Sequence, residues 1–261
     1  MGIIAVSDVH LGYMNPDDKK ESLSNKDDFE KFLDMVDNRD GIDKLVLCGD
    51  VFDMWARDMV GVFIENADIL YKLQMLQSKM EVYYVIGNHD YYVRKLKNFR
   101  YQFNFYKGDI LTLQDRGTTY RFKHGYDFEP IMNEIYFDAL CYSNDELGNI
   151  ASRAYKVWTN WYEKFTGEGQ FESMLEPAKK RLSPAKITDI ELRACRSVKD
   201  GEILVFGHTH KPFINIKGNV VNLGSWTKDS EVPNTYLEVK DGKMKLKKFP
   251  GGKEITEREE C

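Results

Sequence analysis

Aspartate, asparagine and histidine recur in this 261-residue chain in short polar clusters placed at the ends of apolar runs. Four clusters contain histidine: Ser7-Asp8-Val9-His10, Gly87-Asn88-His89-Asp90, Lys123-His124-Gly125-Tyr126 and Gly207-His208-Thr209-His210. A fifth, Cys48-Gly49-Asp50-Val51-Phe52-Asp53, has the same form without one. Together they hold all five histidines of the chain. Asp8 and His10 are two apart, as are His208 and His210. In an extended segment such residues point to the same side, so each pair can face one site. With Asp50, Asn88 and His124 they offer seven nitrogen and oxygen donors and no thiolate. Seven is too many for one tetrahedral zinc site and suits two octahedral or near-octahedral ions sharing a carboxylate. Two ions about 3.5–4 Å apart are the arrangement used for phosphoryl displacement, lowering the pKa of a bridging water and stabilising the charge that develops in line.

The elements that must position these clusters follow from hydrophobic pattern. Residues 2–7, Lys44–Cys48 and Val82–Ile86 are short apolar runs of the kind expected for strands buried on both faces. Between the first two, Phe29, Phe32, Leu33 and Val36 repeat at helical spacing, with Asn25 placed as N-cap and Gly41 just past the end. Between the second and third, Phe63, Ile64, Ala67, Leu70, Tyr71 and Met75 predict one longer helix. The alternation favours a parallel sheet with right-handed crossovers, whose ligands bind beyond the carboxyl ends of the strands. That topology brings Asp8, His10, Asp50, Asn88 and His89 towards one crevice.

Beyond Asp109 the pattern turns to β: Ile110–Leu113, Thr118–Lys123, Ile203–Phe206, Phe213–Ile216, Val220–Leu223, Thr235–Val239 and Met244–Phe249. The stretch 128–200 is different, with aromatics at helix-like spacings interrupted near Gly167 and Pro184, and predicts a helical insertion. The expected organisation is a core of 1–127 and 201–250, the insertion 128–200 as a lid or substrate-side cap, and a frayed polar tail 251–261. A net charge of -5 gives no general reason to expect nucleic acid. Cys48, Cys141, Cys195 and Cys261 are widely spaced and read as reduced thiols. With no signal peptide, no myristoylation motif and no apolar run near the roughly 18 residues of a membrane span, the expected compartment is the cytoplasm.

In order and strand-end placement, Asp8-x-His10, Gly49-Asp50-x-x-Asp53, Gly87-Asn88-His89-Asp90, His124-Gly125 and Gly207-His208-x-His210 resemble the five motifs of the calcineurin-like metallophosphoesterase family. The resemblance implies an α/β fold: an αββα sandwich of two mixed β-sheets flanked by helices, here with the helical insertion. It implies that Asp8, His10 and His210 bind a first metal, that Asn88, His124 and His208 bind a second, and that Asp50 bridges both. It makes His89 a residue that hydrogen-bonds the phosphate or protonates the leaving oxygen, and Asp53 the carboxylate that orients it, although a helix N-cap would equally place an aspartate at Asp53. Two divalent ions are implied, manganese first, with iron, zinc and magnesium also suited to such donors. The expected reaction is hydrolysis of a phosphodiester or pyrophosphate bond in a small molecule by attack of a metal-bridging hydroxide.

Within the family the layout is similar to the UDP-diacylglucosamine pyrophosphohydrolase-like branch, through the insertion between His124 and His208 and the ending Gly207-His208-Thr209-His210-Lys211-Pro212. Those bacterial enzymes typically carry Arg where this chain has His89, so the substrate, nucleotide-sugar or lipid-linked, stays open. The aromatic insertion would suit peripheral membrane contact. Its basic stretch from Pro177 to Lys199, with five more positive than negative charges, would suit a polyanion. A nuclease, a phosphomonoesterase and a non-catalytic scaffold on the same fold are the alternatives.

Overall fold

The computed structural model describes residues 2–15, 18, 20–54, 59–93, 104–105, 110–128, 184–255 and 258–259. The chain divides into two compact units, Met1–Tyr126 with Ser197–Cys261, and Asp127–Arg196.

In the first unit, seven strands among the described residues form one sheet and six form another. β1 (Gly2–Val6), β2 (Lys44–Cys48), β3 (Glu81–Val85) and β4 (Asn104–Phe105) run parallel in that spatial order. On the other side of β1 the sheet continues with antiparallel β10 (Thr235–Lys240), β11 (Lys243–Lys248) and β12 (Lys253–Glu254). The second sheet has the order β13-β8-β9-β7-β6-β5, made of Arg258–Glu259, Phe213–Asn215, Val220–Asn222, Glu202–Phe206, Thr118–Lys123 and Ile110–Asp115. It mixes parallel pairs (β6 with β7, β7 with β9, β8 with β13) and antiparallel ones (β5 with β6, β8 with β9). Two mixed sheets flanked by helices are therefore the architecture.

Alternate residues of the two sheets meet in one buried cluster: Ile3, Ala5, Val46, Cys48 and Val85 from the first, Leu111, Tyr120, Phe122, Val205 and Val221 from the second. Strand side chains alternate between faces, so Ile4, Val6, Leu45 and Leu47 fall on the opposite face, where they are equally buried. That two-sided burial is why β1 and β2 read as continuous apolar runs. Helix α1 (Lys26–Asp37) buries Phe29, Phe32, Leu33 and Val36. Phe29 and Phe32 pack on Trp226 at ring-centroid distances of 5.3 and 4.8 Å. Trp226 in turn donates its indole N–H to the Thr235 carbonyl and its backbone N–H to the Asp8 carbonyl, each at 2.9 Å. The aromatic layer behind the sheet thus holds the loop that carries Asp8.

Four expectations need correction. The helix predicted through Phe63 and Met75 is two, α2 (Met59–Glu65) and α3 (Ala67–Leu76). Asn66 lies between them and donates its side-chain amide to the Val62 carbonyl at 2.8 Å, a local bond that competes with helix continuation. Their buried residues are Val62, Ile69, Leu73 and Leu76, whereas Ile64, Tyr71 and Met75 are exposed. Asn25 precedes α1 as expected but makes no side-chain cap; its amide donates to Asn234 Oδ1 at 2.9 Å. The tail beyond Pro250 is not simply frayed, because β12 pairs with β11 and β13 with β8. Cys195 is disulfide-bonded and not a reduced thiol, whereas Cys48 is free. That bond removes the cysteine-based reason for a reducing compartment.

In the second unit, α4 (Pro184–Arg196) starts at a proline, which suits the first helical turn. Arg193 donates to the Phe128 carbonyl at 3.1 Å. The aromatics Tyr136, Phe137, Tyr142, Tyr155, Trp158, Trp161, Tyr162, Phe165 and Phe171, and the basic Lys179, Lys180 and Arg181, lie outside the described residues. No helix among the described residues is long and apolar enough to cross a membrane.

Candidate metal centre

Each cluster follows a strand closely: Asp8 and His10 after β1, Asp50 after β2, Asn88 and His89 after β3, His124 after β6, and His208 and His210 after β7. The pairs do not converge by extended geometry, as the sequence spacing suggested. Asp8, His10, Asp50, His208 and His210 have φ of 54°, 49°, 52°, 70° and 56°. This left-handed region is uncommon for residues with a Cβ, and Asp, Asn and His tolerate it best. Neighbouring loops impose it. Asp8 N donates to the Gly49 carbonyl at 3.0 Å, and His10 N and Leu11 N donate to those of Asp50 and Val51 at 2.9 Å. Gly207 N donates to the His124 carbonyl at 3.0 Å.

Asp8 is fully buried. Its Oδ2 accepts from Ser7 Oγ at 2.6 Å and from His208 N at 2.9 Å. Its Oδ1 has no hydrogen-bond partner among the described residues and faces three imidazoles, at 3.2 Å from His210 Nε2, 3.6 Å from His10 Nε2 and 3.9 Å from His124 Nε2. Asp50 Oδ1 accepts from His89 N at 2.7 Å, while its Oδ2 lies 3.0 Å from His124 Nε2 and 3.8 Å from His10 Nε2. Asn88 Oδ1 is 3.1 Å from His124 Nε2. All seven predicted donors are therefore brought together. Six of them fall into the groups Asp8–His10–His210 and Asp50–His124–His208, with a third group of His10, Asp50 and His89 overlapping both, and Asn88 adjoins the second group through His124.

Glycine is required where these elements touch. A Cβ on Gly87 would overlap the Asp50 carboxylate, and one on Gly207 would overlap Ser7 Oγ and the Asp8 carboxylate.

The donor set fits cations. A buried carboxylate oxygen without a hydrogen bond, and two imidazole nitrogens facing each other at 3.2 Å (His10 and His210 Nε2), are an arrangement that a positive ion between them would satisfy. His124 is prepared for this role. A carbonyl can only accept, so the 3.1 Å contact between its Nδ1 and the Cys48 carbonyl keeps a proton on Nδ1 and leaves Nε2, which faces Asp50 Oδ2 and Asn88 Oδ1, as the atom that would meet a cation. The field is strongly negative. Burial opposes charge on His10, but Asp53, Asp8 and Asp50 outweigh it and push its pKa up to about 10. Burial is likewise overcome at His124 by the charges of Asp50 and Asp8, which raise it to about 9. Burial works to raise Asp8 and Asp50, yet the surrounding histidines, His124 foremost, hold both well below the usual carboxylate range.

His89 keeps a quarter of its side chain exposed. Its Nδ1 lies 3.3 Å from Asp53 Oδ1, and Asp53 Oδ2 lies 3.5 Å from His10 Nδ1. The Asp53 carboxylate thus stands between two histidines.

Two buried residues were missed in the sequence. Asp90 accepts from Gly87 N at 2.7 Å, Val51 N at 2.8 Å and the Tyr84 hydroxyl at 2.7 Å, tying the Asn88 turn to the Asp50 turn. Burial and then the charge of Asp50 push its carboxyl up to about 6, against those three bonds. Its place as the fourth residue of its cluster was the available signal. Asn222 donates to the Gly207 carbonyl at 3.2 Å and to Thr209 Oγ1 at 2.7 Å, and accepts from Gly224 N at 2.8 Å, bracing the loop of His208 and His210. It repeats the strand-end polar form without a histidine.

Two mixed sheets with aspartates, asparagine and histidines gathered at strand ends define a metallophosphoesterase class of protein. The family model for calcineurin-like phosphoesterase matches residues 1–212, and the chain belongs to that family. It is accordingly a hydrolase acting on phosphoester bonds. Among solved structures it is similar to YfcE, a phosphoesterase from E. coli, with a TM-score of 0.52 at 15% identity over 98% of this chain and 97% of that one. It is also similar to a dimetal phosphatase from Danio rerio, with a TM-score of 0.55 at 12% identity over 97% of each chain. At such identities the likeness is one of fold. No curated protein matches the chain in sequence.

Proposed function

We propose that this phosphoesterase uses two divalent ions to hydrolyse a phosphodiester or pyrophosphate bond in a small molecule, of nucleotide-sugar or lipid-linked type. The observation that carries the reading is the convergence of six Asp and His donors in two adjoining groups, with Asn88 beside His124 and with Asp8 Oδ1 buried and without a hydrogen bond among the described residues. Asp8, His10 and His210 would hold one ion, Asn88, His124 and His208 the other, and Asp50, within 4 Å of both His10 and His124, would serve both. When bound, such ions neutralise phosphate charge and acidify water at the site. Manganese is the first choice for these donors.

His89 supplies what the ions do not. With Nδ1 turned to Asp53, the ring is oriented so that Nε2 would meet a phosphate oxygen or give a proton to the leaving oxygen. The Asp50 carboxylate fixes the His89 backbone at 2.7 Å, so the histidine is held in register with the metal donors. The reading of 128–200 as a helical insertion belongs to the same proposal, supported by α4.

The test is cleavage of bis(p-nitrophenyl) phosphate by protein stripped of metal and then given Mn²⁺, compared with p-nitrophenyl phosphate, nucleotide sugars and single- and double-stranded nucleic acids. The diester should be cleaved only after metal is restored, and not by Asp50→Asn. Equal activity with and without metal overturns the reading. Preferential cleavage of nucleic acid replaces the small-molecule substrate with a nuclease.

A further inference from the structure

We infer that Asp53 is a positioning residue for the His10 half of the metal centre as well as for His89, its two carboxylate oxygens divided between the two histidines. The inference rests on the two-metal reading above and deepens it. Backbone bonds place Asp53 between the two segments: its own N–H donates to the Leu11 carbonyl at 2.9 Å, and the next residue, Met54, donates to the His89 carbonyl at 3.2 Å. The side chain is only 5% exposed, with Oδ1 3.3 Å from His89 Nδ1 and Oδ2 3.5 Å from His10 Nδ1. The His10 and His89 rings stand nearly perpendicular, 4.8 Å apart, so one carboxylate can face both Nδ1 atoms.

His10 presents its other nitrogen to the donors, with Nε2 at 3.2 Å from His210 Nε2 and 3.6 Å from Asp8 Oδ1. An imidazole that gives the Nε2 lone pair to a cation carries its proton on Nδ1. That buried Nδ1 has no hydrogen bond among the described residues, and Asp53 Oδ2 is the carboxylate oxygen facing it. A carboxylate behind a ligating histidine fixes its tautomer and raises its basicity, and removing such a partner typically weakens metal binding about 10–100-fold. The other half of the centre is backed differently, since His124 Nδ1 faces the neutral Cys48 carbonyl at 3.1 Å. The two metal sites should therefore respond unequally to loss of the Asp53 charge.

Calorimetric Mn²⁺ titration of the metal-stripped full chain tests this without reference to turnover. Wild type should take up two ions. Asp53→Asn should weaken one of them about 10–100-fold and leave the other, Asp53→Glu should keep most of the affinity, and His89→Ala should change neither site. Asp53→Asn combined with His89→Ala should match Asp53→Asn alone. Wild-type affinity at both sites in Asp53→Asn, or equal loss at both, overturns the role of Asp53 while the two-metal reading stands. Uptake of fewer than two ions by wild type defeats that reading itself, and the inference with it.

Discussion

Tyr84 donates its phenolic hydrogen to Asp90 Oδ2 at 2.7 Å in a pair that is fully buried. Through that bond the strand β3 grips the turn that follows it, and the same carboxylate reaches Val51 beside Asp50. Asp90→Ala would leave Gly87 N, Val51 N and the Tyr84 hydroxyl without their acceptor. At about 1–3 kcal/mol for each buried group left unpaired, the two backbone N–H groups alone should cost the variant about 2–6 kcal/mol, and Tyr84→Phe should cost about 1–2 kcal/mol. Urea unfolding of the metal-stripped protein measures both. Losses below about 0.5 kcal/mol, the level of an ordinary surface change, would mean that the turn is held by other contacts.

His89→Ala should lower turnover of the diester by about 10²–10⁴-fold, the usual contribution of a positioned proton donor, while two metal ions remain bound. The third donor group, His10 with Asp50 and His89, makes the competing outcome specific. If the variant binds a single ion, His89 is a ligand and its assignment as the phosphate-facing residue fails.

Asn222→Ala should weaken both metal sites together. Its amide donates to the Gly207 carbonyl and the Thr209 hydroxyl on either side of His208, and this loop carries His208 in one donor group and His210 in the other. Metal titration therefore separates it from Asp53→Asn, for which a one-sided loss is expected. A one-sided loss in Asn222→Ala would show that the two histidines are fixed independently.

The metal-stripped protein should lose stability as pH rises from about 7 to 10. His10 and His124 are raised to about 10 and about 9 in the folded state, above the value of 6.5 for an unperturbed histidine. A group bound more tightly to its proton when folded stabilises fully below its unfolded pKa, and that contribution disappears as pH passes the folded pKa. Bound metal would replace these protons, so Mn²⁺ affinity should rise over the same range. Thermal unfolding in chelator, compared with unfolding in Mn²⁺ at each pH, checks this. A melting temperature in chelator that is flat or rising between pH 7 and 10 would contradict it.

What could be read in advance depended on whether a residue's role is local. β1, β2 and α1 were legible because burial on both faces of a strand, or on one stripe of a helix, leaves a periodic mark. The break at Asn66 was not, since one side-chain bond to Val62 decides it. The seven donors were recognisable by type and by strand-end position. The left-handed backbone of five of them was hidden, because tertiary bonds such as Asp8 N to Gly49 impose it. The second face of Asp53 was hidden for the same reason: the contact joins His10, Asp53 and His89, which lie far apart in the chain.

The backbone at Asp8, His10, Asp50, His208 and His210 also acts as a filter on chemistry. Each position carries a conformation that is disfavoured by about 1–3 kcal/mol for a residue with a Cβ, and Asp, Asn and His are the side chains that bear it most easily. These are the same side chains that donate oxygen or imidazole nitrogen. β-Branched residues are excluded by sterics, and cysteine has no compensating ease there, so drift at these loops is steered away from soft, sulfur-rich sites. Under the two-metal proposal, the backbone itself would thus favour oxygen and nitrogen donors over sulfur at these positions.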